Sequence, residues 1–355
     1  MRWLVIHPGP AWSVADCHTG IVEALRGLGE DVLTYDLDER IRFFTNALFE
    51  TGTRDENGFP QFRKACTIEQ ALIMAVENVH AQAMLWWPHV VLGISAFFTP
   101  PFMLDVMRDR GMKVVLWHTE APYQDSEQLL RAAHADLNLV NDPANIDAYR
   151  ALGPAEYFPH SYRPAVHCPG PATPELKSDL AFVGTGFPSR VKFFEQMDLS
   201  GLDVLLAGGW PFLDETSPLF RHLLDPGMTA GNSVTEMATL DNEKTVEIYR
   251  SAKTGINFYR KEAESEHVGQ GWACGPREIE LAATGLWFAR DSRPESDELF
   301  PMLPAFSDPA EASDLIRWAV AHEDARQKAA AAARAAVADR TFENNAKRLL
   351  RLLEA

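Results

Sequence analysis

The chain has 355 residues, a length that suits two domains of ordinary size better than a single core. Hydrophobic residues make up 46% and charged residues 23%, which excludes a disordered chain, and no apolar run is long enough to insert into a membrane. The net charge of −17 disfavours nucleic acid or an anionic membrane surface as partner, and four scattered cysteines (Cys17, Cys66, Cys168, Cys274) without pairing or zinc spacing suit a reducing cytoplasm.

Arg2–His7 is a short β-rich run that turns polar too early for a signal peptide, so it is predicted as a first strand of a cytoplasmic protein. Thr19–Gly29 has helical spacing through Ile21, Val22, Leu25 and Leu28, and Asp31–Tyr35 is a strand again. Thr51–Pro60 is expected to be an exposed loop and Ile68–Val79 a helix. Strands follow at His89–Gly93, Lys113–Trp117, Asp136–Val140 and Glu156–Phe158, with helical stretches between them. Alternation of this kind implies βαβ units and a parallel sheet.

Five prolines in Pro159–Pro174 then mark a semi-rigid connector. Alternation restarts with strands at Asp179–Val183, Asp203–Ala207, Thr254–Phe258 and Leu286–Phe288, with helices between them and an almost wholly helical tail from Pro309. The expected class is α/β, two Rossmann-like domains facing across a cleft: 1–160, a linker over 161–178, and 179–338. A closing helix, 339–355, would pack back on the first domain. Ligands in such sheets bind at the carboxyl ends of the strands.

The strand Asp179–Val183 runs into Gly184-Thr185-Gly186-Phe187-Pro188-Ser189-Arg190. Two glycines allow a tight turn, Pro188 suits a first helical turn, and the helix mouth behind it suits a phosphate, with Thr185 and Arg190 as side-chain partners. A tight turn without ligand is the alternative. Gly275, Pro276 and Arg277 open a second helix, where the arginine can make a bidentate phosphate contact. Glu280, one turn on, is spaced to reach the ribose of the same nucleotide, whereas Glu278 is read as a favourable charge on the helix dipole. Arg260, at a strand end, is a further phosphate contact. No cluster has zinc spacing, so no metal site is expected.

Three stretches carry a family resemblance: Phe182–Arg190, Ile248–Arg260 and Gly275–Gly285. They resemble the carboxy-terminal half of the CgeB-like (spore-maturation-type) glycosyltransferases, which belong to the two-Rossmann-domain GT-B class. Asp339–Arg348 is similar to that group's closing helix, and the first half matches through Gly20–Val32 and Asn141-Asp142-Pro143. The resemblance implies a nucleotide-diphosphate sugar bound by the second domain, an acceptor bound by the first, no cofactor and no obligatory metal. Many retaining relatives carry Glu-x₇-Glu, the first glutamate holding the donor sugar. Glu280 takes the last position, but the first falls on Trp272. Donor sugar and stereochemical outcome stay open.

The resemblance also places the general base in the first domain. Asp16 and His18 are expected just before the first helix, Asp16 being either base or N-cap. Leu116–Asp125 supplies Glu120 as a further base, and His118, Tyr123 and Asp125 as acceptor contacts. The expected activity is hexosyl or pentosyl transfer to an unidentified acceptor. A sugar-nucleotide epimerase and a non-catalytic sugar-nucleotide-binding protein are the alternatives.

Overall fold

The computed structural model describes residues 1–9, 15–225, 240–262 and 271–354. The described chain divides into two compact units. The first comprises Met1–Glu120, Ser126–Val140 and Ile146–Glu156; the second comprises Ala121–Asp125, Asn141–Asn145 and Tyr157–Ala355. Three short pieces of the expected first domain, 121–125, 141–145 and 157–160, therefore belong to the second unit.

The first unit alternates β1 (Arg2–Ile6), α1 (Ala15–Gly27), β2 (Asp31–Tyr35), α2 (Leu37–Asn46), β3 (Leu48–Arg54), β4 (Pro60–Lys64), α3 (Ile68–Trp86), β5 (Val90–Ile94), α4 (Pro101–Asp109), β6 (Lys113–His118), α5 (Asp125–Ala132), β7 (Leu137–Val140), α6 (Ile146–Arg150) and β8 (Ala155–Tyr157). Six strands form one sheet in the order β2-β1-β5-β6-β7-β8, and the pairings from β2 through β7 are parallel. Trp3–Ile6 and Val90–Ile94 are buried throughout, the signature of strands covered on both faces. A capping box between Thr67 and Gln70 starts α3. The expected loop at Thr51–Pro60 instead spans the end of β3, the turn over 55–59 and the first residue of β4, and β3 and β4 pair antiparallel as a separate two-stranded sheet. Its strands carry Thr, Phe and charged residues without a buried face, so the alternation that marks a half-buried strand is missing.

The second unit contains β9 (Ser178–Val183), α7 (Pro188–Gln196), β10 (Val204–Ala207), α8 (Asn242–Ser251), β11 (Ala252–Asn257), α9 (Pro276–Thr284), β12 (Phe288–Arg290), α10 (Pro294–Leu299), α11 (Pro309–Ala321), α12 (Glu323–Ala336) and α13 (Phe342–Glu354). Its sheet is parallel in the order β10-β9-β11-β12. Aromatic rings fill the space behind the β9–α7 turn: Phe258 stacks on Phe182 at 5.5 Å and on Phe193 at 4.4 Å. Trp210 packs so closely that a Cβ on Gly186 would lie 2.3 Å from its ring. The closing helix α13 is counted in the second unit, where Asn345 donates to the Pro159 carbonyl at 2.8 Å and Thr341 bridges Tyr162.

Candidate functional site

The carboxyl ends of β9, β11 and β12 carry a dense set of arginines, and each is held by different means. Gly184 has φ +154°, and a Cβ there would stand 2.2 Å from Arg277 Nη2, so the loop admits the guanidinium only because position 184 is glycine. Arg277 donates to the Val183 carbonyl at 2.7 Å and to Asn257 Oδ1 at 2.9 Å, tying α9 to the ends of β9 and β11. Arg190 is buried, donates to the Thr185 carbonyl at 2.9 Å, and lies over Phe182 and Phe187. Burial, reinforced by the Arg277 charge, lowers its pKa to about 9. Arg260 is half-buried, its guanidinium carbon 4.6 Å from the Tyr123 ring centre and 5.0 Å from that of Phe187. Thr185 and Glu280 are half-buried nearby in sequence, on the β9–α7 turn and on α9.

The helix mouths are more occupied than the sequence suggests. At α7, Ser189 donates its amide and hydroxyl to Glu262, both at 2.7 Å, so a carboxylate from beyond β11 caps the helix. At α9 four consecutive amides meet buried carboxylates. Trp272 and Ala273 donate to Asp142 at 3.0 and 3.2 Å, Cys274 donates to Glu295 at 2.8 Å, and Gly275 donates to Glu278 at 3.1 Å. Glu278 is therefore more than a dipole partner. It is fully buried, closes a capping box with Gly275, and accepts from the Tyr259 hydroxyl and from Ser296 at 2.8 Å.

Arg293 sits at the centre of this cluster, buried, 3.5 Å from the Tyr259 ring centre. It donates to Tyr123 Oη at 2.9 Å and to Asp142 Oδ2 at 3.4 Å. Sequence reasoning missed Arg293, Asp142, Glu295 and Asp291. The Asn141-Asp142-Pro143 match was the one available signal, and it did not reveal which amides Asp142 would cap.

Asp291 follows β12 and accepts from the Tyr259 amide at 3.1 Å, while its Oδ1 is buried with no partner among the described residues. Burial, reinforced by the Glu278 carboxylate, raises its pKa from 3.8 to about 7. Between those two pH values the unfolded chain releases this proton and the folded chain keeps it. Stability therefore falls as pH rises from about 4 to about 7. Asn can accept the same amide without ionising, so Asp291→Asn is expected to raise the melting temperature more at pH 8 than at pH 4. An equal shift at both pH values would contradict the assignment.

Several expected acceptor and base residues lie elsewhere than the sequence implies. His118 is a core residue rather than an exposed contact: it is buried, Nε2 lies 2.8 Å from Asn138 Oδ1, and burial pushes its pKa down to about 4. Asp125 is buried and accepts from Asn145 at 3.1 Å, so it cannot present its carboxylate to an acceptor in this arrangement. Tyr123 is built into the second unit, between Arg260 and Arg293, beside the arginines assigned to the donor. Glu120 is half-buried, its amide held by Gln128 at 3.0 Å. Asp16 and His18 lie inside the first turn of α1, so Asp16 is not the N-cap. His18 is buried with its ring 5.0 Å from that of His7, and burial lowers its pKa to about 4. Part of the strand-one loop, residues 10–14, lies outside the described residues.

Comparison with known proteins places this geometry. Residues 190–351 match the family described as glycosyl transferase-like. No curated protein matches the chain. Among solved structures, sucrose-phosphate synthase from Thermosynechococcus elongatus is similar with a TM-score of 0.64 at 13% identity, over 100% of this chain and 98% of that one. An E. coli trehalose-6-phosphate structure bound with UDP-2-fluoro glucose matches with a TM-score of 0.61 at 11% identity, over 100% and 99%. Anabaena HepE in complex with UDP-glucose gives 0.60 at 9% identity, over 100% and 99%. No helix among the described residues is long and apolar enough to cross a membrane. Residues 190–351 thus carry a glycosyl transferase-like domain, and the chain as a whole has the fold of the GT-B enzymes, with two Rossmann-like domains.

Proposed function

We propose that the protein is a CgeB-like, metal-independent transferase that moves a hexosyl or pentosyl group from a nucleotide-diphosphate sugar to an acceptor hydroxyl. The observation that carries this is the arginine group at the carboxyl ends of the second unit's strands: Arg190, Arg260 and Arg277 around the Gly184 turn. Fixed guanidinium groups supply the positive charge that a departing diphosphate needs, without a metal ion and with no reorganisation at the moment of reaction. Arg260, half-buried against the Tyr123 and Phe187 rings, is the direct phosphate ligand. Arg277 and Arg190 hold the loop and contribute field. Glu280 takes the ribose hydroxyls. A carboxylate of the first unit, Asp16 before Glu120, accepts the acceptor's proton. Sugar transfer breaks the bond from the anomeric carbon to the diphosphate oxygen and forms one to the acceptor oxygen, so no cofactor is consumed.

Trp272, standing where many relatives hold the donor sugar with glutamate, packs edge-on to Tyr157 at 5.8 Å between ring centres. A ring and an indole N–H at that position select a donor sugar through stacking rather than through a carboxylate. The glycosyl transferase-like match does not favour an epimerase.

UDP-glucose and UDP are the first probes, because Anabaena HepE is described in complex with each. Glu280→Ala is expected to weaken both by about 1.5–3 kcal/mol in calorimetry, the usual worth of a charged hydrogen bond. Unchanged affinity in a folded variant rules out the ribose role. Donor turnover should survive EDTA; activity lost on chelation and restored by magnesium or manganese refutes the metal-free scheme. A panel of other nucleotide sugars extends the test if neither probe binds.

A further inference from the structure

The β3–β4 hairpin of the first unit serves none of the chemistry above, and its composition is unusual for a free surface. All of β3 and residues 61–64 of β4 are exposed. Leu48, Phe59 and Phe62 stand in water, Phe62 at 58% exposure, Phe49 is exposed beside the Arg63 guanidinium that lies 4.5 Å from its ring centre, and Phe43 of α2 with Ile68 and Ile73 of α3 are exposed on the helices that flank it in sequence. Surfaces with this many large apolar side chains mark interaction sites. A two-stranded ribbon with no covered face is also marginal on its own, and its open edges are templates for further pairing.

We propose that this hairpin is a homodimer interface, in which β4 of one copy pairs antiparallel with β4 of a second copy about Phe62. The charge order selects that occupant. Asp55 and Glu56 lie at the turn, whereas Arg63 and Lys64 lie at the open end. Arg54, the one basic residue at the turn, donates to the Gly58 carbonyl at 2.7 Å, and Glu50 lies mid-strand opposite Phe62. A two-fold pairing centred on Phe62 sets residue 60 against 64 and 61 against 63. It stacks the two Phe62 rings and brings the basic end of each copy to the acidic turn of the other. Pro60 falls at the end of the paired segment, where its missing N–H interrupts nothing between 61 and 63. A partner carrying one sign of charge would be repelled at one end of the ribbon, whereas a second copy is complementary at both.

Light scattering on the eluting full chain, at physiological ionic strength where the net charge is screened beyond about 8 Å, tests this. The expected mass rises with concentration towards twice the 39.6 kDa of one chain. Phe62→Lys should weaken dimerisation at least about tenfold, as for a central interface residue, because two like charges then meet on the two-fold. Its fold should be intact, because the side chain is exposed and a lysine there faces Glu50 across the hairpin. Asp55 accepts from the Asn57 and Phe59 amides and is left in place; Glu56→Lys should also weaken dimerisation, and adding Lys64→Glu in the same chain should restore it. A monomeric mass at every concentration overturns the proposal, including the case in which a different protein covers the hairpin. So does a dimer indifferent to both sets of changes.

Discussion

Asp16→Asn is expected to lower turnover by about 10²–10⁴-fold, the usual contribution of a positioned general base. Donor hydrolysis without acceptor is the cheapest assay, since water must lose a proton as any acceptor does. Melting temperature and donor affinity should barely move. Asp16 lies half-buried in the first turn of α1, so its replacement loses only a charge near the helix's positive end, about 0.3–1 kcal/mol. His18, two residues on, is the second candidate. It is buried against His7, neutral with a pKa near 4, whereas Asp16 is only half-buried and so more open to an acceptor. Wild-type turnover in Asp16→Asn would remove Asp16 from the mechanism, with His18→Gln and then Glu120→Gln as the next variants.

Arg293→Met should cost about 3–5 kcal/mol of folding stability, because it strands the buried carboxylate of Asp142 without its counter-charge. Methionine replaces most of the packing against Tyr259 but none of the hydrogen bonds to Asp142, Tyr123 and the Ala273 carbonyl. Denaturant melts measure the loss. Adding Asp142→Asn to Arg293→Met should recover part of it, since the asparagine oxygen still accepts from the Trp272 and Ala273 amides without carrying charge. Equal stability of wild type and Arg293→Met would show that Asp142 does not depend on the arginine.

The sheet architecture was readable because it rests on local patterns: buried apolar runs such as Val90–Ile94, and helical spacing such as Ile21, Val22, Leu25 and Leu28. The Gly184 turn and the helix starts at Pro188 and Pro276 were readable for the same reason, since each falls in a contiguous stretch. What the sequence hid depends on long-range burial. Polarity alone cannot tell His118 inside a sheet from His118 on a loop, and Asp125 shows the same ambiguity. Nor does any local pattern announce that Asp142 will accept amides 130 residues further along the chain. The hairpin was missed because Gly52, Asp55, Asn57 and Gly58 read as loop, while its strands lack the covered face that produces alternation.

Residues 121–125 and 141–145 bear on how such a chain evolves. They are encoded among the elements of the first unit yet supply Tyr123 and Asp142 to the second. A gene exchange with its crossover in the proline-rich segment would therefore inherit Arg293 from one parent and its counter-ion from the other. Only crossovers that carry the Asn141-Asp142-Pro143 turn together with Trp272–Arg293 keep the two in step. A chimaera of two relatives is thus expected to keep its stability best when the parents match at these positions.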